Sequence, residues 1–204
     1  CTSNQDVVDG SDLVFLALRT EQCADAVAEL RFRDDHVVVN VMAAISAAHL
    51  RDMLHTRPHI VRAMPLQEVS QRNCLTVLFP THPDVEALFE RLGGALAVDN
   101  ETAFIAFCGL ASTVSTHYEY LASLANWAGA QGIRPADAER FLRSLFAGVG
   151  RSLTDDNLAL DPLRTAHETP GGANERVRHR WFSPAEPALH TVLDDLLADL
   201  RDQA

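Results

Sequence analysis

The sequence predicts an α/β domain followed by an all-helical one, on three observations. Short apolar runs alternate with helix-like spacing through the first half, the strand signal ends near residue 104, and long helical periodicity fills the remainder. With 204 residues and 47% apolar content, the chain is long enough to bury a real core. On this reading residues 1–103 form part of a doubly wound sheet domain and residues 104–204 a helical domain.

The segments Leu13 to Leu18, Val37 to Val41, Ile60 to Met64 and Leu75 to Phe79 are apolar enough to be strands covered on both faces. Between them, Glu21 to Leu30 and Ser46 to Leu54 have helical spacing, and Asp84 to Leu92 places Val85, Leu88, Phe89 and Leu92 on one face. Further on, Ser115 to Gln131 keeps Leu121, Leu124, Ala125 and Ala128 in register. Pro135 suits the first turn of a helix lined by Ala138, Phe141, Leu142, Leu145 and Val149, and a third helix is expected from Pro187 to Arg201. The face carrying Leu121, Leu124, Phe141, Leu142, Leu145 and Leu193 is too apolar for a lone helical layer, which predicts a homodimer or higher homo-oligomer.

Composition narrows the chemistry. Seventeen basic against 28 acidic residues give a formal charge of −11, a field that repels a nucleic-acid backbone. Every basic residue is Arg, so no lysine is present to form a Schiff base. Cys1, Cys23, Cys74 and Cys108 lack metal-site or disulfide-framework spacing, and the nine histidines form no metal-binding motif, so no metal is expected. No apolar run is long enough to span a bilayer and the opening residues do not read as a signal peptide, so the expected location is the cytoplasm.

Three regions are candidates for chemistry. In His167-Glu168-Thr169-Pro170-Gly171-Gly172-Ala173-Asn174, Thr169 is expected to cap a helix and Pro170 to occupy its first turn, with two glycines leaving N–H groups open to an anion. An isolated Pro-Gly-Gly is more often an ordinary loop before a helix. Cys108 to Ser115 is a stretch of small residues leading into a helix that contains His117 and Tyr118, permitting close approach of a ligand or of another helix. Finally, Leu16-Ala17-Leu18-Arg19 and Val41-Met42-Ala43-Ala44 follow strands, where open α/β sheets bind ligands.

Taken in order, Ser11 to Arg19, Asn40 to Ser46, Val61-Arg62-Ala63-Met64-Pro65 and Thr169-Pro170-Gly171-Gly172 resemble pyrroline-5-carboxylate reductases. The corresponding family segments are similar to A-D-V-I-F-L-A-V-K, S-I-A-A-G-I-S, V-R-V-M-P and T-S-P-G-G-T-T. The resemblance implies a Rossmann-type domain for NADP or NAD, joined to a helical dimerisation domain that completes the active site. It implies that Ala17, Leu18 and Arg19 border the dinucleotide, that Met42, Ala43 and Ala44 approach its nicotinamide end, and that Met64 and Pro65 lie near the same cleft. The stretch Thr169, Pro170, Gly171, Gly172, Ala173 and Asn174 would hold the substrate carboxylate, with Asn174 or Ser112 near the imine nitrogen; His117 and Tyr118, at the start of the long helix, are the candidate proton donors.

The family's G-x-G-x-x-A/G turn does not occur in the sequence, and a βαβ unit of ~30 or more residues is expected before Cys1. The family's M-P-N-T-P stands here as Met64-Pro65-Leu66-Gln67-Glu68, and S-G-S-G-P-A as Leu110 to Ser115. The expected activity is hydride transfer from NAD(P)H to a cyclic imine carboxylate, of the proline-biosynthesis type. The rivals are a reductase of a different imine or carbonyl compound, and a non-catalytic dimeric protein that has lost cofactor binding.

Overall fold

The computed structural model describes residues 2–155 and 157–202. The chain divides into two compact units, one running through Ala111 and taking in the stretch from Leu193 onward, the other Ser112–Val192.

The first unit opens with α1 (Asn4–Asp9), whose Ser3 cap and Asp6 form a reciprocal capping box. It continues through β1 (Leu13–Leu16), α2 (Thr20–Val27), β2 (Val37–Asn40), α3 (Ala47–Met53), β3 (His59–Met64), a 3₁₀ turn at Gln67–Gln71, β4 (Thr76–Phe79), α4 (Pro83–Glu90), β5 (Ala95–Ala97) and α5 (Glu101–Ala111). The strands lie in the order β1-β2-β3-β4-β5. Strands β1, β2 and β3 run parallel, β3 and β4 pair antiparallel, and β4 and β5 run parallel.

Side chains alternate across the sheet, so β1, β2 and β3 feed two cores. Val14, Leu16, Val38 and Ile60 pack with Val8, Cys23, Val27 and Leu50 in one cluster. Val37, Val39, Val61, Ala63 and Leu78 pack with Val85 and Phe89 in the other. This two-sided burial is why β2 is apolar without a break from Val37 to Val39, and it makes the sheet doubly wound, as expected.

Residue pairing sets Leu16 and Asn40, the last residues of β1 and β2, level with each other and with Arg62, two residues before the end of β3. The segments that leave β1, β2 and β3 therefore emerge from one edge of the sheet. The sequence reading did not include β5, a three-residue strand of Ala and Leu that is only partly buried.

The second unit holds α6 (Val114–Ala130), α7 (Pro135–Ser152), α8 (Leu160–Ala166) and α9 (Ala173–Val177). A π-helical turn at Arg178–Phe182 leads without interruption into α10 (Ser183–Asp202). Helix α7 starts with Pro135 in its first turn, as the sequence implies. Pro187, expected to start the last helix, instead lies inside it. Pro184 has no N–H to give to the residue four back, and just upstream the Ser183 N–H reaches five residues back to the Arg178 carbonyl, which keeps the helical run going.

Ala138 is the only apolar residue of the second unit that is fully buried among the described residues. Tyr118, Trp127 and Phe141 are each more than 60% exposed.

Candidate functional site

The carboxyl edge of β1, β2 and β3 gathers the segments expected to meet a dinucleotide. Ala17 and Arg19 are exposed and Leu18 half-buried in the turn from β1 to α2. Arg19 takes the N-cap position of α2 without making a side-chain capping bond. Beyond β2, Met42 is buried, Ala43 exposed and Ala44 half-buried. Met64 ends β3, and Pro65 follows it, both half-buried.

Two buried polar side chains hold the loop after β2. The Asn40 amide donates to the Ile45 carbonyl at 2.7 Å and its oxygen accepts from the Met42 N–H at 2.9 Å. Arg62 donates to the Ala43 carbonyl at 3.1 Å and to Glu101 at 2.9 Å, and its guanidinium lies 4.5 Å from the centre of the Phe104 ring. The Arg62 side chain is only 3% exposed, so it is a desolvated cation held by one carboxylate, one carbonyl and one aromatic face. Neither role was assigned from the sequence, although an arginine between Val61 and Ala63 in an apolar strand is the kind of anomaly that signals one.

In the helical unit the loop before α9 departs from the expected helix start. Thr169, Pro170, Gly171 and Gly172 form a tight turn, closed by the Gly172 N–H donating to the Thr169 carbonyl at 2.7 Å. Pro at the second position and Gly171 at φ 72° in the third are the signature of a type II turn. The helix begins only at Ala173, with Gly172 at the N-cap position and no side-chain capping bond. Thr169 is therefore not a cap and Pro170 not a first-turn residue, because the Pro-Gly pair closes a turn that the helix then follows.

This loop is tied at both ends. The Asn174 amide donates to the His167 carbonyl at 2.8 Å. Glu168, with only 13% of its side chain exposed, is gripped by Arg178 through bonds of 2.6 and 3.0 Å and by Arg164 at 3.0 Å. The hydrogen bond from Arg178 comes first in holding the Glu168 carboxyl below the usual carboxylate range. The Gly171 N–H is not open to an external anion in this conformation: it donates to the Glu175 carboxylate. Of the three N–H groups expected to receive a substrate carboxylate, that of Gly171 serves Glu175 and that of Gly172 closes the turn.

Ser112 is exposed in the turn between α5 and α6. His117, on the first turn of α6, sits edge-on to Phe146 of α7 with ring centres 5.8 Å apart. Both His117 and Tyr118 line a groove of about 490 Å³ between α6 and α7, together with Leu121, Leu142 and Phe146. Among the described residues, no three of His, Cys, Asp and Glu come together in a way that could hold a metal ion. No helix of the described residues is long and apolar enough to cross a membrane.

No family model matches the chain. It is 28% identical over 179 residues to pyrroline-5-carboxylate reductase 3 of Danio rerio, a match covering 83% of this chain and 62% of that relative. Among solved structures, the pyrroline-5-carboxylate reductase of Coxiella burnetii superposes with a TM-score of 0.84 at 18% identity, covering 100% of this chain and 80% of that one. The 1-pyrroline-5-carboxylate reductase of Streptococcus pyogenes gives 0.79 at 19% identity, covering 98% and 80%.

The chain is similar in sequence to one pyrroline-5-carboxylate reductase and in fold to others.

A third such structure, the pyrroline carboxylate reductase of Plasmodium falciparum solved with NADP bound, superposes with a TM-score of 0.82 at 11% identity, covering 100% of this chain and 81% of that one. These likenesses establish the fold, a Rossmann-type sheet followed by helices. The chain spans 62% of the length of the curated relative it matches.

Proposed function

We propose that the chain belongs to an oxidoreductase that reduces a cyclic imine, of the pyrroline-5-carboxylate type, with NADPH or NADH. The observation that carries the reading is the alignment of Leu16, Asn40 and Arg62, which delivers Ala17 to Arg19, Met42 to Ala44 and Met64-Pro65 to one sheet edge. The sequence likeness to a pyrroline-5-carboxylate reductase supports the substrate class.

The residues present fit the nicotinamide end of the cofactor. Ala43 and Ala44 carry no bulk beyond Cβ, and their loop is braced from below by Asn40 and Arg62, so a flat ring could approach it closely. Arg19, exposed beside the start of α2, suits a neighbouring phosphate. No G-x-G-x-x-A/G turn for the diphosphate occurs within the 204 residues. When bound, the nicotinamide supplies the hydride.

The remaining work falls to this chain's own groups. The loop Thr169 to Asn174 holds the substrate's anionic group through the Ala173 N–H and, once Glu175 releases it, the Gly171 N–H. Asn174 Oδ1 or the Ser112 hydroxyl accepts a hydrogen bond from the protonated imine nitrogen, and His117 is the proton donor we assign to it. We place the enzyme in the cytoplasm as a homodimer or higher homo-oligomer.

One observation favours a second reading, a reductase of a different imine or carbonyl compound. The Glu175 carboxylate already satisfies the Gly171 N–H, which disfavours a second anion at that point. The test is turnover of NADPH and NADH with a panel of cyclic imines, carboxylated and neutral. Oxidation of the cofactor that depends on pyrroline-5-carboxylate supports the first reading. Activity confined to neutral imines supports the second, and no imine-dependent oxidation rejects both.

A further inference from the structure

Arg62 has no part in the chemistry assigned above, yet its position is unusual for a strand residue. It stands on the same sheet face as Val38 and Ile60, within an apolar layer, and its side chain is 3% exposed. A buried guanidinium is costly unless each of its contacts is well made. Two of its nitrogens are engaged, Nη1 with Glu101 and Nη2 with the Ala43 carbonyl, while the buried Nε has no partner. An apolar residue of similar volume would fill the layer without that cost. What an apolar residue could not do is tie the tip of the β2 loop to the next strand and to the start of α5.

We propose that Arg62 is a positioning residue. Its hydrogen bond to the Ala43 carbonyl sets how the Met42–Ala44 loop meets the reactive end of the cofactor. Asn40 holds the two shoulders of the same loop, at Met42 and Ile45, and Arg62 holds its tip at Ala43. Together they fix a loop that makes no ladder hydrogen bond of its own beyond β2 except that of the Val41 N–H to Leu16. The Glu101 carboxylate and the Phe104 ring keep the guanidinium aimed, so the loop geometry is inherited from the strand and from α5. The proposal rests on the reading of Met42 to Ala44 as the nicotinamide-facing segment.

The test pairs Arg62→Lys with Val85→Ala, a buried truncation in the opposite core layer that lowers stability without touching the loop. Lysine keeps the charge but has a single nitrogen, which cannot serve Glu101 and Ala43 in the fork geometry of arginine. In the cofactor-free chain, amide exchange at Met42 and Ile45 should quicken about tenfold or more in Arg62→Lys, with Val38 and Val39 unchanged. Under saturating substrates kcat should fall roughly tenfold to a hundredfold with the imine KM within about twofold, whereas Val85→Ala should lose melting temperature and keep its kcat. An Arg62→Lys variant with wild-type loop exchange and wild-type kcat overturns the proposal, as does a kcat loss that Val85→Ala shares at equal destabilisation. A wild-type chain that reduces no imine instead overturns the functional reading itself, and the proposal with it.

Discussion

The Gly171 backbone N–H donates to the carboxylate of Glu175, a residue four positions along that stands in the first turn of α9. An internal anion thus occupies one of the donors that a carboxylated substrate would use. Replacing Glu175 with Gln keeps the side-chain shape and removes the charge. The KM for an imine carboxylate should then fall about three- to tenfold, equivalent to ~0.7–1.4 kcal/mol, while a neutral imine stays within about twofold. Steady-state kinetics with both substrates decide it, and an unchanged KM for the carboxylate would place its binding elsewhere.

The two glycines of the turn answer to different constraints. A Cβ on Gly172 would lie 2.7 Å from the Thr169 carbonyl oxygen, a backbone atom that cannot step aside. At Gly171 a Cβ meets nothing within 4 Å, but φ is +72°. Gly171→Ala should therefore cost about 1–2 kcal/mol through the left-handed backbone and leave the turn in place. Gly172→Ala should displace the turn itself. Turnover of the carboxylated imine should drop further than that of the neutral one for Gly172→Ala, since the displaced turn carries the N–H groups proposed to hold the carboxylate. An equal loss for both imines would take the anion site off this loop.

Glu168 makes the loop sensitive to acid. Its carboxyl is held below the ordinary value in the folded chain, chiefly by the bond from Arg178, with no equivalent partner when unfolded. A depressed folded value adds stability above the unfolded value, and that stability is lost as pH falls through the folded one. Melting temperature measured against pH should show Glu168→Gln below wild type at neutrality, with the two curves converging in acid below the usual glutamate range. Parallel curves would mean the ion pair contributes nothing to folding.

Much of this was legible in the sequence, for identifiable reasons. The runs at Val37 to Val39 and, Arg62 apart, Ile60 to Met64 are apolar on both faces because helices cover both, so they read as strands without knowledge of their partners. Helix α7 was visible from Pro135 and its apolar spacing. The turn at Thr169 to Gly172 was misread because Thr-Pro is a good helix start in isolation. Only the positive φ of Gly171 and the bond from Gly172 to Thr169 show that the Pro-Gly pair closes a turn first. The brace at Asn40 and Arg62 is hidden in the sequence because its three bonds to the loop run to backbone groups, two carbonyls and one N–H, which no side-chain pattern announces.

The helical unit leaves Phe141, Leu145 and Val149 of α7 exposed, three residues four apart on one face. With only Ala138 fully buried among the apolar residues described there, that stripe is where we expect a second copy to pack. Light scattering at micromolar concentration should report a dimer or larger oligomer, and Leu145→Asp should shift it toward the monomer. A monomeric wild type would remove the oligomer from the account.

The claim at the centre is that a hydride passes to an imine carbon at the edge formed by Leu16, Asn40 and Arg62. The direct measurement uses a reduced nicotinamide cofactor deuterated at its transferable position, with 1-pyrroline-5-carboxylate as acceptor and the product read by mass spectrometry. The account predicts a cyclic amine product carrying one deuterium, formed more slowly in Arg62→Lys than in wild type. Product formed without the label, or no product while the folded chain binds the cofactor, would contradict it.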